Sequence, residues 1–283
     1  MKRTSSFVDK KPILYLVSVP IGNLKEMNQR AIEIINECDT VFCEDTRNTY
    51  HLLSQFKINK KLFSLREHNE LSATEKVLAI LNEGKNVCYV SDAGYPAISD
   101  PGKLLAIKVR ENDFPVSTIN GSSAFLCALC ASSHDSSHFY FHGFLDSNNT
   151  KRNEQLKELK KKKETLIFYE APHRIKKMID SLYEILGNRK ATIARELTKI
   201  NEEFIEGCLS ELVDLDFTTI KGEIVVIVDG NKDEDNVSDE ELISRYKELL
   251  KMNISLKSIS EIISFEYKIN KNYIYKLLLD KAK

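Results

Sequence analysis

The chain has 283 residues, 42% of them apolar, and a formal net charge of -1, enough apolar material for a core in each of two domains plus a small appendage. Its longest apolar runs, such as Ile13 to Val19 and Ile224 to Val228, are far shorter than a bilayer span, and the polar stretch Met1 to Lys11 has no apolar signal core. No membrane span and a cytoplasmic location are therefore expected, whereas near-neutral total charge does not exclude a nucleic-acid partner, because local fields steer polyanions.

In chain order, runs rich in β-branched and aromatic residues alternate with segments of helical period. Ile13 to Val19 reads as a strand, Met27 to Glu37 as a helix, Thr40 to Cys43 as a strand and Asn48 to Phe56 as a helix. A short strand near Leu62 to Leu65, a helix from Thr74 to Asn82, a strand from Asn86 to Val90, a helix from Gly102 to Glu111 and a strand from Pro115 to Ile119 follow. This is βα repetition, which predicts a mostly parallel sheet with helices on both faces. After a boundary near residues 118–126 and a helix over Ser123 to Ala131, strands are expected at Phe139 to Phe144, Thr165 to Tyr169, Ala191 to Arg195, Glu203 to Gly207 and Glu223 to Val228. Their close succession near the end predicts an antiparallel or mixed sheet. Between them, Lys151 to Lys163 carries seven basic and two acidic residues, a solvated helix face or a contact for RNA. The polar, acidic stretch Asp229 to Asp239 reads as a flexible linker. Helices over Glu240 to Leu250, Leu256 to Ser264, with Ser255 as N-cap, and Asn272 to Leu279 complete the chain. The last two, with Lys268, Lys271 and Lys276, have the spacing of a helix-turn-helix, or of a plain three-helix packing module.

In an open parallel sheet, ligands bind beyond the carboxyl ends of the strands. Four loops there have suitable composition. Val19-Pro20-Ile21-Gly22-Asn23-Leu24 offers one glycine for a turn or close backbone approach, too few for a dinucleotide fingerprint. Cys43-Glu44-Asp45-Thr46-Arg47 delivers acids and a base to the rim; Asp45 or Thr46 is explained as a helix N-cap, but Glu44 and Arg47 are not. Arg66-Glu67-His68-Asn69-Glu70 is polar and follows another strand. Val90 to Pro96, continued by Ser99-Asp100-Pro101-Gly102, has the density of small residues and prolines that presents backbone rather than long side chains to a ligand. Within it Asp92 is suited to the hydroxyls or ammonium of a cofactor, and Pro101 to a helix start.

The six cysteines lie in helix- or strand-like segments, as reduced buried thiols without disulfides would, and Cys127-x-x-Cys130 falls in an apolar helix with no complementary ligand pair. The six histidines lack a zinc spacing, so no metal is expected; His134 and His138 should flank a surface turn.

Taken in order, Val19 to Leu24, Glu44 to Arg47, Glu67 to Glu70, Ser91 to Gly102, Phe168-Tyr169-Glu170-Ala171-Pro172-His173-Arg174, Ala194-Arg195-Glu196-Leu197-Thr198-Lys199 and Lys221-Gly222-Glu223-Ile224 resemble the ribosomal RNA small subunit methyltransferase I family. These are the 16S rRNA cytidine 2'-O-methyltransferases of the tetrapyrrole methylase superfamily. The resemblance implies a two-domain α/β tetrapyrrole methylase-like fold: residues 12–121 on the substrate side, 122–230 completing the cofactor site with a mixed sheet, a linker at 231–239 and a helix-turn-helix-like module at 240–283. It implies a homodimer acting on 16S rRNA or the small ribosomal subunit. It also implies S-adenosyl-L-methionine bound between the domains by Pro20, Asp92, Ala93, Tyr95, Ser122, Ser123, Ala124, Tyr169, Ala194 and Leu197. One departure stands out: Asn120-Gly121-Ser122-Ser123-Ala124 replaces the family's usual Pro-Gly-Pro-Ser-Ala, which should loosen the turn and weaken cofactor binding.

Methyl transfer to a ribose hydroxyl needs alignment and benefits from a base. Glu44, Asp45 and His68 are the candidates for deprotonation, with Arg47 holding a phosphate through its fork of donors. The rival readings are methylation of a small tetrapyrrole precursor, which needs neither the basic segment nor the helical tail, and a ligand-sensing nucleic-acid-binding regulator, which leaves Glu44, Arg47 and His68 without work.

Overall fold

Side chains that alternate along a strand sort the apolar residues of the first sheet onto two faces. In the computed structural model, which describes residues 5–8, 10–232, 239–252, 254–267 and 269–281, this sheet comprises β1 (Leu14–Val17), β2 (Thr40–Cys43), β3 (Leu62–Ser64), β4 (Val87–Val90) and β5 (Val116–Ile119). The strand order is β3-β2-β4-β1-β5 and every pairing is parallel. Tyr15, Val17, Val41, Cys43, Cys88 and Val90 pack against α1 (Gln29–Glu37) and α2 (Thr46–Gln55) through Ala31, Ile35 and Leu53. Leu14, Leu16, Phe42, Val87 and Tyr89 face α3 (Glu70–Asn82) and α4 (Lys103–Glu111) through Val77, Leu81, Leu105 and Val109. All five strands thus end at one edge, where the polar loops gather.

Several expected helix starts are corrected; α1 begins at Gln29 after its Asn28 cap, not at Met27. Asp45 caps α2, which therefore begins at Thr46 rather than Asn48. A 3₁₀ turn over Glu67–Asn69 leads into α3 at Glu70, not Thr74, so the polar third motif is partly helix. Gly102, at φ 117°, is the N-cap of α4 and leaves Pro101 outside the helix it was expected to open.

After β5, α5 (Ala124–Ala131) packs on one face of a second sheet made of β6 (Phe139–Phe144), β7 (Thr165–Glu170), β8 (Lys190–Arg195), β9 (Glu203–Cys208) and β10 (Ile224–Val228). Its order is β6-β7-β10-β8-β9, with β6 parallel to β7 and the other pairs antiparallel. The other face is covered by α6 (Asn149–Leu159), α7 (Ile175–Leu186) and α8 (Leu209–Leu212). The basic run Lys151 to Lys163 lies largely on α6, but Arg152 points inward and its Nε donates to Ser181 Oγ at 3.0 Å.

His134 does not flank a surface turn. It is buried, with Nδ1 2.5 Å from Asp229 Oδ1 and Nε2 2.9 Å from Thr192 Oγ1, whereas His138 is exposed. All six cysteines are free; Cys38, Cys43 and Cys88 are buried as expected, but Cys130 is exposed and Cys127 and Cys208 are half-buried.

The chain divides into two compact units, Met1–Asn231, which holds both sheets, and Lys232–Lys283. Residues 233–238 of the expected linker, and Lys268, lie outside the described residues. In the second unit, α9 (Asp239–Leu250), α10 (Leu256–Tyr267) and α11 (Lys271–Lys281) enclose Leu242, Tyr246, Ile259, Ile263, Ile274 and Leu278. Ser255 Oγ accepts from Ser258 N at 3.2 Å, the expected cap. Among the described residues no helix is long and apolar enough to cross a membrane.

Candidate active site

The loops beyond β1 and β4 are joined by an isolated antiparallel bridge: Val19 N donates to Gly94 O at 3.0 Å and Gly94 N to Val19 O at 3.1 Å. Gly94 takes φ 67°, and the buried Ser91 hydroxyl donates to the carbonyls of Ala93 (3.1 Å) and Gly94 (3.2 Å). A third loop, after β5, is tied to the same frame. Ser18 Oγ donates to Ser122 O at 3.1 Å, Gly121 N donates to Tyr95 Oη at 3.1 Å, and Tyr95 Oη donates to Asn120 Oδ1. Ser122 Oγ reaches Glu26 Oε2 at 2.9 Å, and Asn28 Nδ2 donates to Asn120 O. The two residues that replace prolines thus supply polar ties to this turn.

The segment from Ala97 to Gly102 is held more tightly still. Ala97 (φ 68°) and Ser99 (φ 61°) are left-handed, a conformation non-glycine residues keep only when their surroundings impose it. Ala97 N donates to Pro101 O at 3.0 Å. A Cβ on Gly102 would fall 2.6 Å from the Tyr89 ring, and one on Gly143, at the bulge of β6, 2.9 Å from Ser99 Oγ. Glu70 Oε1 accepts from Gly102 N (3.0 Å) and Leu105 N (3.1 Å), so the start of α3 caps the start of α4.

These loops form one wall of a cavity of about 510 Å³, within the range of small-molecule sites. Ile21, Ala93, Gly94, Tyr95, Ile98 and Asp100 line it from the first sheet, Ser123 and Ala124 from the start of α5. Phe144, Tyr169 to Pro172, Glu196, Leu197, Lys199 and Gly222 to Val225 complete it from the second sheet. Of the residues expected around the cofactor, Ala93, Tyr95, Ser123, Ala124, Tyr169 and Leu197 are in its lining. Pro20 and Asp92 line a separate pocket of about 170 Å³ with Gly22, Leu24, Asn48, Thr49, Leu52 and Ser91. Ala194 is fully buried in the apolar layer with Leu197, and the Ser122 hydroxyl turns to Glu26. Gly22 makes its close approach to Lys199: a Cβ there would lie 2.5 Å from Lys199 Cγ.

Charge around the cavity is largely paired. Lys199 Nζ lies 2.9 Å from Glu196 Oε1 and 3.6 Å from Glu223 Oε2. Burial pushes the Tyr169 phenol up to about 12. Asp100 differs: among the described residues no cation lies within ion-pair distance, and burial first, then Glu44, Asp92 and Glu223, push its carboxyl up to about 7. Sequence reasoning quoted Asp100 and Lys199 inside motifs but assigned neither a role; loop composition gave no sign of which side chains turn inward.

At the ends of β2 and β3, Asp45 Oδ1 accepts from Arg47 N (2.9 Å) and Nε (3.1 Å), and Oδ2 from Arg47 Nη2 (2.7 Å) and Arg66 Nη2 (3.0 Å). The Arg47 hydrogen bonds hold this carboxyl well below the usual carboxylate range, a poor proton acceptor, and they occupy one side of the Arg47 fork. Arg66 Nε also donates to Glu44 O at 2.9 Å, and its own N–H donates to Asn69 Oδ1 at 2.6 Å. Asp92 accepts from Asp45 N (3.1 Å) and Asn48 Nδ2 (2.8 Å). Burial, followed by the Asp92 charge, raises the Glu44 carboxyl. His68 is exposed on the neighbouring 3₁₀ turn. The structure therefore gathers Glu44, Asp45, Arg47 and Asp92 into one rim, while Asp100 lies in the cavity lining. No cluster of metal-ligating side chains occurs among the described residues.

The sequence profile of the tetrapyrrole (corrin/porphyrin) methylases matches residues 13–213. The ribosomal RNA small subunit methyltransferase I of Halalkalibacterium halodurans is 46% identical over 79% of this chain and 78% of its own. The protein of that name from Escherichia coli O157:H7 is 38% identical over 99% of both chains, the helical tail included. Solved structures of a cobalt precorrin-4 methyltransferase (TM-score 0.58, 16% identity, 77% of this chain and 94% of that one) and of the Thermus thermophilus uroporphyrin-III C-methyltransferase (0.55, 17%, 77% and 94%) share the fold. With a profile matched over residues 13–213 and a relative aligned nearly end to end, the chain belongs to the tetrapyrrole methylase family and, within it, to the ribosomal RNA small subunit methyltransferase I group.

Proposed function

We propose that this chain transfers the methyl group of S-adenosyl-L-methionine to the ribose 2'-hydroxyl of a cytidine in 16S rRNA of the small ribosomal subunit, acting in the cytoplasm as a homodimer. The observation that carries the reading is the cavity between the two sheets, whose chemistry suits this cofactor. Ile21, Leu197 and Val225 offer apolar contact to an adenine, and Ala93 and Gly94 let backbone approach closely. When bound, the cofactor supplies an electrophilic methyl carbon on a sulfonium.

The residues of this chain do the rest. Tyr95, Ser123, Ala124 and Tyr169 shape and dry the cavity, Ala194 supports it from beneath, and Pro20, Asp92 and Ser122 brace the loops that form its wall. Glu44, Asp45, Arg47 and His68 form the rim that meets the acceptor nucleotide. There Arg47 faces solvent with 82% of its side chain exposed, placed for a phosphate once its tie to Asp45 is shared. Glu44, whose proton affinity burial raises, is a better candidate than Asp45 to assist deprotonation. In this reading residues 12–121 carry the acceptor side and 122–230 complete the cofactor site, while 240–283 is a separate helical module.

The test is incubation with labelled S-adenosyl-L-methionine and, in parallel, small subunits lacking the modification, free rRNA, or a tetrapyrrole precursor. Label in a cytidine 2'-O-methyl of the rRNA is expected. Label in the tetrapyrrole alone would overturn the RNA assignment, and label in none would favour a regulator.

A further inference from the structure

We propose that the pocket of about 170 Å³ beside the rim receives the nucleobase of the acceptor nucleotide, and that Asp92, aided by Asn48, selects cytosine over uracil there. This rests on the methyltransferase reading above and concerns a pocket to which that reading gives no ligand. Three observations carry it. First, the pocket and the larger cavity share a wall. Along the bridged loops, Pro20 and Gly22 line the smaller space and Ile21 the larger, while Ser91 and Asp92 line the smaller and Ala93 and Gly94 the larger. A base held in the smaller pocket therefore leaves its own ribose at the edge of the larger, where the methyl carbon must meet the 2'-oxygen. Second, the lining has the two characters that a pyrimidine requires. Pro20, Leu24 and Leu52 offer apolar surface to the ring faces, and Asn48 and Asp92 offer polar atoms to the ring edge. Third, the hydroxyls of the lining are committed elsewhere: Ser91 donates to the carbonyls of Ala93 and Gly94, and Thr49 is bonded to Cys43. Asp92 and Asn48 are the side chains left to read a base.

Asp92 is an acceptor with capacity to spare. Its Oδ1 accepts from the Asp45 N–H at 3.1 Å and its Oδ2 from Asn48 Nδ2 at 2.8 Å, one bond to each oxygen, and each carboxylate oxygen can take a second. The same contact orients the Asn48 amide: one Nδ2 hydrogen is spent on Asp92 and the other remains to be donated. The pocket thus presents an acceptor beside a donor. Cytosine carries the complement on adjacent positions, an exocyclic amine that donates and a ring nitrogen, N3, that accepts. Uracil reverses both, setting its O4 against the carboxylate and its N3–H against the Asn48 amine. An amide could turn over to suit either base, but an ionised carboxylate only accepts, so Asp92 is the residue that makes the choice and Asn48 the one that supports it.

The experiment uses small subunits reconstituted with cytidine or uridine at the position that the wild-type chain labels, and reads single-turnover methyl transfer by wild type, Asp92→Asn and Asn48→Ala. The wild type should prefer cytidine by roughly 10- to 100-fold, the discrimination that one paired base edge supplies. In Asp92→Asn the preference should fall below about threefold, because an amide offers a donor to uracil O4 as readily as an acceptor to the cytosine amine. Asn48→Ala, which removes an exposed side chain, should lose part of the preference. S-adenosylhomocysteine affinity should be retained in both variants, since neither residue lines the larger cavity. A purely structural role for Asp92 would slow both substrates alike and leave their ratio at the wild-type value. That ratio in Asp92→Asn, an equal wild-type rate on cytidine and uridine, or a loss of S-adenosylhomocysteine binding that accounts for the whole defect would overturn the assignment while leaving the methyltransferase reading intact. If Asp92→Asn lacks the urea transition of the wild type, Asn48→Ala decides alone, and an unchanged ratio there overturns the assignment. No transfer by the wild-type chain to any RNA would overturn the reading itself, and the proposal with it.

Discussion

Gly121→Ala probes the joint where the loops after β1, β4 and β5 meet. Gly121 is not left-handed, so the substitution acts through space rather than backbone strain. The added Cβ would stand 2.7 Å from Ser18 Oγ, 2.8 Å from Ser18 Cβ and 3.2 Å from Ser18 O. Ser18 cannot simply step aside: it is 1% exposed and its N–H is bonded to Ile119 O at 3.2 Å. Overpacking of a fixed neighbour costs about 1–3 kcal/mol, and loss of the Ser18 Oγ to Ser122 O hydrogen bond adds about 1 kcal/mol. The total, roughly 2–4 kcal/mol, lowers Tm by roughly 5–15 °C in a chain of this size. Because the same displacement moves Ser122 to Ala124, S-adenosylhomocysteine affinity should fall with it. The assay is a double-mutant cycle in urea with Ser18→Gly, which removes both clashing side-chain atoms; in that background Gly121→Ala should cost less than about 1 kcal/mol. An equal cost in both backgrounds would refute the steric account, and a neutral Gly121→Ala would refute the joint altogether.

Asp45→Asn should destabilise the chain at neutral pH, with a gap in urea midpoint that is widest above about pH 5 and narrows only as the pH falls below the ordinary carboxylate range. Its carboxyl is depressed on folding, so its contribution is present above the ordinary carboxylate range and is lost as pH falls through the lowered value. Glu70→Ala removes the cap that α3 places on α4, which should cost about 1 kcal/mol, read by urea unfolding; an unchanged urea midpoint would count against the cap. His134→Ala deprives Asp229 and Thr192 of a buried partner and should cost roughly 2–4 kcal/mol, read by urea unfolding. Cofactor affinity should not move, because β10 lines the cavity at Ile224 and Val225, and Asp229 lies beyond its far end.

The parallel sheet was legible because its signal is local. Strands such as Val87–Val90 are short apolar runs between helical periods, and the pattern reports them directly. Helix starts were less legible where a cap acts from a distance. Nothing near Gly102 reveals that Glu70, 32 residues earlier, bonds its N–H, and the 3₁₀ turn before Glu70 hid the true start of α3. His134 was misplaced for a related reason: its partners Thr192 and Asp229 are 58 and 95 residues away, and spacing around a lone histidine is silent about them. The motif residues were found, but not their division of labour. Asp92 and Asp100 occupy one loop with similar turn chemistry, yet one caps the rim beside Asn48 and the other faces the cavity.

That division follows from how the motifs lean on one another. Arg66, from the third motif, donates to the Glu44 carbonyl and the Asp45 carboxylate of the second; Asp45, through its N–H, meets Asp92 of the fourth. Glu70 of the third holds the end of the fourth, and Val19 of the first is bridged to its Gly94. Each bond joins loops at the carboxyl ends of different parallel strands, where no ladder hydrogen bond could fix their relative positions. Apart from the backbone bridge of Val19 to Gly94, polar side chains do so instead, and each bond also satisfies a backbone group or charge that would be costly to leave unpaired at a half-buried edge. The density of charged and amide side chains in these motifs is therefore not a count of catalytic groups. Most of them build the wall, and the chemistry falls to the few side chains that the wall leaves facing the cavity and its rim.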